Sequence, residues 1–267
     1  MLGKLMKYDM RYMARILPWV YLGSIVLSIF CSAVIIMLPA KIIGIVDVIT
    51  ALFPALCTMA AYAIIIMTVV VIIMRVYRSL YSDEGYLTFT LPVKNSKIID
   101  SKILTGAIWT SFSLIAAVIV STLPKTAYSI RFYQTEEFLD PGLYVNEVWD
   151  YINIALILLI AVTAAFLVPS LYTFCATVTH KAKRARGFAS IGMFIGIIYG
   201  LSVVSSVIIV VFIAVFAETA DYVDYGIVGY NVLSTGLLLI VWFVLAVLTV
   251  TSWLISKHIA NKKLNLL

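Results

Sequence analysis

The segment that decides the fold spans residues 50–102. It begins with an apolar run, TALFPALCTMAAYAIIIMTVVVIIM (50–74), and continues as a polar stretch, RVYRSLYSDEGYLTFTLPVKNSKIIDSK (75–102). An uncharged run of about 20 apolar residues is long enough to cross the hydrocarbon core of a bilayer as a helix. The abrupt change at residue 75 therefore predicts a transmembrane helix that is followed by a loop at a membrane surface.

The rest of the chain repeats this alternation. Of its 267 residues, 63% are hydrophobic and only 12% are charged, whereas soluble domains are nearer half apolar and a quarter charged. The composition predicts an all-α integral membrane protein, with residues 1–267 forming one transmembrane domain. Six uncharged apolar runs are the predicted spans: 17–38, 50–74, 103–123, 151–178, 188–217 and 232–255.

Two features of these runs bear on the outer side of the membrane. The third span is expected to end before Pro124, which would open a long, acidic and aromatic exterior loop, 124–150. The fifth run has a length of about 45 Å as a helix, against about 30 Å of hydrocarbon. It must therefore tilt strongly or end in a separate, re-entrant element within residues 201–230.

The distribution of charge predicts the orientation. Six spans place both termini on one side, together with the 75–102 and 179–187 loops. Sixteen of the nineteen basic residues fall on that side, and nine of the thirteen acidic residues fall on the other. Loops rich in Lys and Arg face the cytoplasm, so both termini and both loops are predicted to be cytoplasmic.

The first 16 residues predict a helix of their own. Their basic residues recur at helical spacing, and most of their apolar residues lie on the opposite face. This pattern is typical of an amphipathic helix in the headgroup layer, which we favour over a short solvated tail. The basic residues are Lys4, Lys7, Arg11 and Arg15.

The predicted cytoplasmic loop 75–102 contains signals for helix starts and stops, which a flexible linker would not need. Ser82 can cap a helix whose first turn holds Asp83 and Glu84, and Pro92 would stop that helix. The next helix can start at Asn95. Residues 86–91 also alternate in polarity as a strand would, so the sequence leaves both conformations open for them.

Several kinds of chemistry have no matching motif in the sequence. There is no phosphate-binding Gly-x-x-x-x-Gly-Lys loop, no Gly-x-Ser-x-Gly elbow and no His-Glu-x-x-His helix. The three cysteines lie singly in apolar runs, without metal-ligand spacing. We therefore predict no catalytic, cofactor-binding or metal-binding residue and no enzymatic activity of this chain. The basic residues behind the net charge of +6 are expected to contact lipid headgroups rather than nucleic acid.

The loop 75–102 resembles the second-to-third loop of type-2 ATP-binding-cassette permeases. That loop tends to show an acidic residue, then Gly, then a Leu-containing segment and Pro-Val, with Ser-Lys or Gly-Lys opening the third span. The opening residues Lys7-Tyr8-Asp9-x-Arg11 are similar to those of many short bacterial members. The matching residues of the loop are Asp83, Glu84, Gly85, Tyr86, Leu87, Phe89, Leu91 and Pro92, followed by Ser101-Lys102.

The resemblance implies the membrane subunit of a bacterial exporter. Two such six-span subunits, expected to be a homodimer, would form the path through the cytoplasmic membrane. Two copies of a separate cytoplasmic ATPase would bind ATP and Mg and would drive transport, and the 82–92 segment would dock on them as a coupling helix. The all-apolar spans favour an amphipathic cargo, such as a peptide, a drug or a lipid-linked molecule, and peptide export is our first expectation.

Two stripes of small residues would suit the seam between the subunits. In the resembled family, the first and fifth spans of opposite subunits line this seam, and small side chains let helices approach closely in lipid. The alternative is ordinary packing within one subunit. The stripes are Ser24, Ser28 and Ser32 in the first span, and Gly192, Gly196 and Gly200 in the fifth.

Two other classes of protein remain as alternatives. A secondary transporter would usually carry an ionisable residue inside a span, and this chain has none. A non-transporting immunity or anchor protein would need no ATPase. Within the transporter hypothesis, the side chains that could contact cargo, each of which could equally be plain packing, are Thr58, Tyr62, Tyr172 and Tyr199.

The orientation can be tested with single cysteines introduced at Ser82, Lys183 and Glu137. We expect the first two to resist an impermeant thiol reagent in intact cells and the third to react, because only residue 137 lies on the acidic, exterior side. Labelling is read by mass spectrometry. The reverse pattern would contradict the predicted topology.

Overall fold

The structure is a computed structural model that describes six stretches of the chain: residues 2–38, 45–81, 95–133, 147–179, 186–220 and 227–263. Within these stretches the chain forms seven α-helices. They are α1 (Leu2–Met13), α2 (Leu17–Met37), α3 (Ile45–Tyr81), α4 (Asn95–Tyr133), α5 (Glu147–Thr179), α6 (Arg186–Ala220) and α7 (Ile227–Lys263).

Six helical stretches of the described chain are long and apolar enough to cross a membrane. They overlap the six predicted spans and confirm an all-helical, multi-pass membrane protein. Most helices are longer than their apolar runs; α4, for example, would measure about 58 Å against about 30 Å of hydrocarbon. Their polar ends must therefore reach beyond the hydrocarbon core. The side on which each end lies stays a prediction.

The N-terminal helix is present as a separate element. Helix α1 ends at Met13, and α2 starts at Leu17 with Pro18 in its first turn. The turn between them is tight, because the amides of Arg15 and Ile16 donate to the carbonyls three residues before them. The placement of α1 in the headgroup layer stays a prediction.

The fifth apolar run is one continuous helix. Helix α6 runs from Arg186 to Ala220 without a break, so the alternative with a separate re-entrant element is wrong as far as residue 220. At about 52 Å, α6 is longer than the hydrocarbon core is thick. The helix must therefore tilt in the membrane or extend beyond the hydrocarbon.

The predicted exterior loop 124–150 begins as helix, since Pro124 lies inside α4. Proline has no N–H, so the carbonyl of Val120, four residues earlier, loses its helical donor. The hydroxyl of Ser28 in α2 donates to that carbonyl at 3.0 Å, and both residues are fully buried. This bond gives the buried carbonyl a donor where lipid offers none.

The chain divides into two compact units. Unit 1 comprises Met1–Arg75 and Leu104–Val145, and unit 2 comprises Val76–Ile103 and Asn146–Leu267. In unit 1, the buried Tyr21 of α2 joins three spans. Its hydroxyl lies 2.8 Å from the Thr68 hydroxyl of α3 and donates to the Trp109 carbonyl of α4 at 3.4 Å.

In unit 2, α5 packs along α7 and, to a lesser degree, against α6. Two hydroxyl contacts join α7 to α5: Ser252 donates to Ser170 at 3.0 Å, and Thr235 donates to the Asn153 side-chain oxygen at 3.0 Å. The Tyr172 ring meets the Phe194 ring of α6 edge to face, at 5.6 Å between centroids. Small polar side chains thus connect the spans, as is usual for helices in lipid.

The contact between Ser28 and Val120 gives a prediction for stability. Ser28→Ala should lower the free energy of unfolding by about 1 kcal/mol, because it leaves a buried carbonyl without a donor. The same change should cost much less in a Pro124→Ala background, where the alanine N–H can serve Val120. Thermal unfolding in detergent measures both effects, and Ser24→Ala, which loses only a bond to its own helix, is the control. Equal costs in the two backgrounds would contradict this account.

Candidate functional site

The predicted coupling residues, 83–92, lie outside the described residues, but the helix ends on either side of them are described. Residues 75–81 continue α3 to Tyr81, and α4 begins at Asn95, as the sequence predicts. Much of the predicted loop is therefore helical extension. The predicted opening pair of the third span is buried in α4: Ser101 donates to the Ile98 carbonyl, and Lys102 is 7% exposed.

Arg75 of α3, the last residue of the first segment of unit 1, contacts α1. Arg75 Nε lies 2.6 Å from Asp9 Oδ1, and the guanidinium carbon lies 5.1 Å from the centroid of the Tyr12 ring. Asp9 is 1% exposed and the Arg75 side chain is 13% exposed, so the pair is largely removed from water. We refer to Asp9, Tyr12 and Arg75 as the α1–α3 contact.

The start of α4 is held to α7 inside unit 2. One oxygen of Asp100 accepts from Trp253 Nε1 at 2.9 Å, and the other lies 3.0 Å from Lys257 Nζ. The same ammonium lies 4.0 Å from the centroid of the Trp253 ring, a cation–π distance. We refer to Asp100, Trp253 and Lys257 as the α4–α7 contact.

Apolar packing supports the α4–α7 contact. Ile99 and Ile103 flank Asp100 on α4 and form a buried cluster with Ala260 of α7. Phe166 of α5 and the Trp253 ring pack against this cluster. The carboxylate thus sits beside a packed core, although it and Lys257 keep about a quarter of their side-chain surface exposed.

Both contacts use acidic residues on the predominantly basic side of the sequence. Only four acidic residues fall on that side: Asp83 and Glu84 in the 82–94 segment, and Asp9 and Asp100. The last two are the carboxylates of the two contacts. Asp9 was predicted only as part of an opening motif, and Asp100, Trp253 and Lys257 were not predicted as site residues. The sequence did hold a signal for Asp9 and Asp100. An acidic residue among many basic ones is expected to pair with a cation.

The two predicted seam stripes differ in their surroundings. In α2, Ser28 is buried in unit 1, and Ser24 and Ser32 donate to carbonyls of their own helix. In α6 the three glycines, Gly192, Gly196 and Gly200, are exposed, and a Cβ added at any of them would meet nothing within 4 Å. The seam itself stays a prediction.

The four residues suggested as cargo contacts differ in how deeply they are buried. Tyr172 is fully buried against Phe194, so its side chain is committed to packing inside unit 2. Thr58 is half-buried and donates to the Ala55 carbonyl. Tyr62 and Tyr199 are about 70% exposed in the chain, which leaves their side chains available to lipid, cargo or a partner.

The three cysteines are free and buried, as expected of small hydrophobic residues. The described residues contain no group of three or more metal-ligating side chains. Comparisons with protein families, curated proteins and solved structures find no match to this chain.

Proposed function

We propose that this chain is the membrane-spanning subunit of an ATP-driven exporter in a bacterial cytoplasmic membrane. The observation that carries the proposal is the 82–92 segment. Its acidic residues, glycine, leucine-containing stretch and Pro-Val follow the order of a permease coupling loop, and it joins two long helices at the basic end of the sequence pattern. A separate ATPase supplies the ATP and Mg site that this chain lacks as a motif.

The anchoring of the helix ends supports this role. A docking segment can move its subunit only if the helices beside it are held to the rest of the protein. The α1–α3 contact holds α3 at Arg75, and the α4–α7 contact holds the start of α4 at Asp100. In the proposed complex, Leu87 and Phe89 insert into an apolar groove of the ATPase, with Asp83 and Glu84 near basic groups on its surface.

The absence of ionisable residues within the six apolar runs favours the same proposal over a secondary transporter. Binding and release of a driving proton or ion usually require such a residue at depth in the membrane. An amphipathic cargo, with a hydrophobic peptide as the first candidate, suits a path with apolar walls. Energy would then reach the path through the cytoplasmic loop rather than through an ion site.

The experiment is affinity purification of the tagged chain from its native membrane. We expect an ATPase to copurify, and Leu87→Asp or Phe89→Asp to weaken its binding by about 30-fold, because a buried apolar anchor is worth about 2 kcal/mol or more at an interface. Thr88→Asp is the matched control, since it adds the same charge between the two proposed anchors. Normal ATPase binding and ATP hydrolysis in both anchor variants would show that the segment does not dock.

A second copy of the chain completes the proposed path. The exposed glycine stripe of α6 supports this part of the proposal, because a lipid-exposed helix gains close packing there only from another helix. Gly196→Leu should therefore disrupt the dimer without disturbing the chain itself.

The dimer can be measured by single-molecule photobleaching of the labelled chain in native-membrane nanodiscs. We expect Gly196→Leu to shift two-step traces to one-step traces. Gly236→Leu is the control, since a Cβ at Gly236 of α7 also meets nothing within 4 Å but that residue lies outside the stripe. An unchanged dimer fraction in Gly196→Leu would show that the glycine stripe faces lipid and is not the dimer seam.

A further inference from the structure

We propose that the exposed basic face of α1 and the first turns of α2 form a binding site for an anionic phospholipid. Arg11 and Arg15 bind the phosphate of the headgroup, and Lys7 adds a third positive charge. Trp19 of α2 fixes the depth of the site in the membrane. The inference goes beyond the proposed exporter function and needs no ATPase.

The apolar face of α1 is turned toward the protein. Met13 is 2% exposed, and Leu5 and Met6 are partly buried, all of them in unit 1. A helix that only floats in the interface would leave its apolar face open, because that face has to enter the acyl layer. The face that α1 leaves open to its surroundings is instead the basic one.

Three basic side chains of this open face follow one another at steps of four residues. Lys7 and Arg11 lie one turn apart on α1, and Arg15 lies in the tight turn that leads into α2. All three are exposed, and none has an ion-pair partner among the residues that the structure describes. The acidic residue of α1, Asp9, is 1% exposed. The charge that α1 presents is therefore positive.

Trp19 sets the depth at which these charges lie. It belongs to the first turn of α2, one helical turn beyond Arg15, and its side chain is 75% exposed. Exposed tryptophans of membrane helices concentrate at the boundary between headgroups and acyl chains. Arg15 then lies at the level of the lipid phosphates, where its guanidinium can donate two parallel N–H bonds to one phosphate.

The surface beyond Trp19 favours a lipid over a soluble anion. Leu22 and Val26 follow Trp19 along one face of α2, and each is more than half exposed. A Cβ added at Gly23, beside them, would meet nothing within 4 Å. A phospholipid can thus place its phosphate on Arg15 and its acyl chains along this apolar face, whereas a soluble anion would use the basic part alone.

Charge predicts which phospholipids bind best. Each basic residue at an anionic surface is worth about fivefold in affinity, so three of them favour an anionic headgroup by about 100-fold. Phosphatidylcholine carries an ammonium group that offsets its phosphate, and phosphatidylglycerol has no such cation. The site should therefore select phosphatidylglycerol over phosphatidylcholine.

The test is native mass spectrometry of the delipidated full chain in neutral detergent, titrated separately with these two lipids. We expect phosphatidylglycerol to bind more tightly. Arg11→Gln/Arg15→Gln should lower its affinity by about 25-fold and leave that of phosphatidylcholine unchanged. Arg11→Lys/Arg15→Lys keeps both charges and should lose much less.

The matched control is Lys125→Gln/Arg131→Gln, which removes two exposed charges from α4 and should leave phosphatidylglycerol binding unchanged. Equal affinity for the two lipids, or an equal loss in the control, would overturn the inference. Displacement of phosphatidylglycerol by millimolar inorganic phosphate would assign the site to a soluble anion. A lower unfolding temperature of Arg11→Gln/Arg15→Gln without lipid would show a structural role instead.

A second measurement identifies the occupant in native membrane. A photoreactive phenylalanine derivative replaces Tyr8, which is 69% exposed on α1, and the captured species is identified by its mass. We expect a phospholipid, with the anionic class enriched over its share of the membrane. Capture of a protein in place of lipid would assign the basic face to an acidic protein surface and would overturn the inference.

Discussion

Lipid offers no partner to a backbone N–H or C=O, and the structure of this chain depends on that constraint. Every described span is a helix, since a helix satisfies its own backbone groups. Where Pro124 removes one donor, Ser28 of another helix supplies it to Val120. The same bond joins α2 to α4, so one hydroxyl both satisfies a backbone carbonyl of α4 and links the two helices. Tyr21 joins α2 to α3 and α4 in a similar way.

The polar ends of the helices follow a second constraint, the cost of an unpaired charge away from water. Basic residues crowd one end of the sequence pattern, where lipid headgroups can receive them. Acidic residues at that end need nearby cations, and Asp9 and Asp100 find Arg75 and Lys257. These two pairs lie at the helix ends that flank residues 82–94. Each of these acidic residues thus has a cation on another helix of its own unit.

Apolar length and charge were enough to predict the number of spans and the separate N-terminal helix, and the helix-start signal at Asn95 predicted the start of α4. They did not reveal that α4 continues through Pro124, where Ser28, far away in the sequence, donates to the carbonyl that the proline leaves without its helical donor. The fifth run was ambiguous because composition does not reveal whether a long apolar segment breaks.

Only part of the candidate site could be predicted from the sequence. The order of residues in the 82–92 segment carried the proposed docking role, but the partners of Asp9 and Asp100 depend on which helices pack together. No periodicity gives that information. The serine stripe shows the same limit, because Ser24, Ser28 and Ser32 share one helix face while Ser28 is used inside unit 1.

The central claim is that this chain works as half of a membrane path driven by a separate ATPase. Native mass spectrometry of the complex, released from native membrane in mild detergent, tests it most directly. The account predicts a species with two chains of 29.6 kDa and two copies of one ATPase subunit, which splits into chain and ATPase on activation in the gas phase. A chain that appears only as a monomer or dimer, without an ATPase under any mild condition, would contradict it.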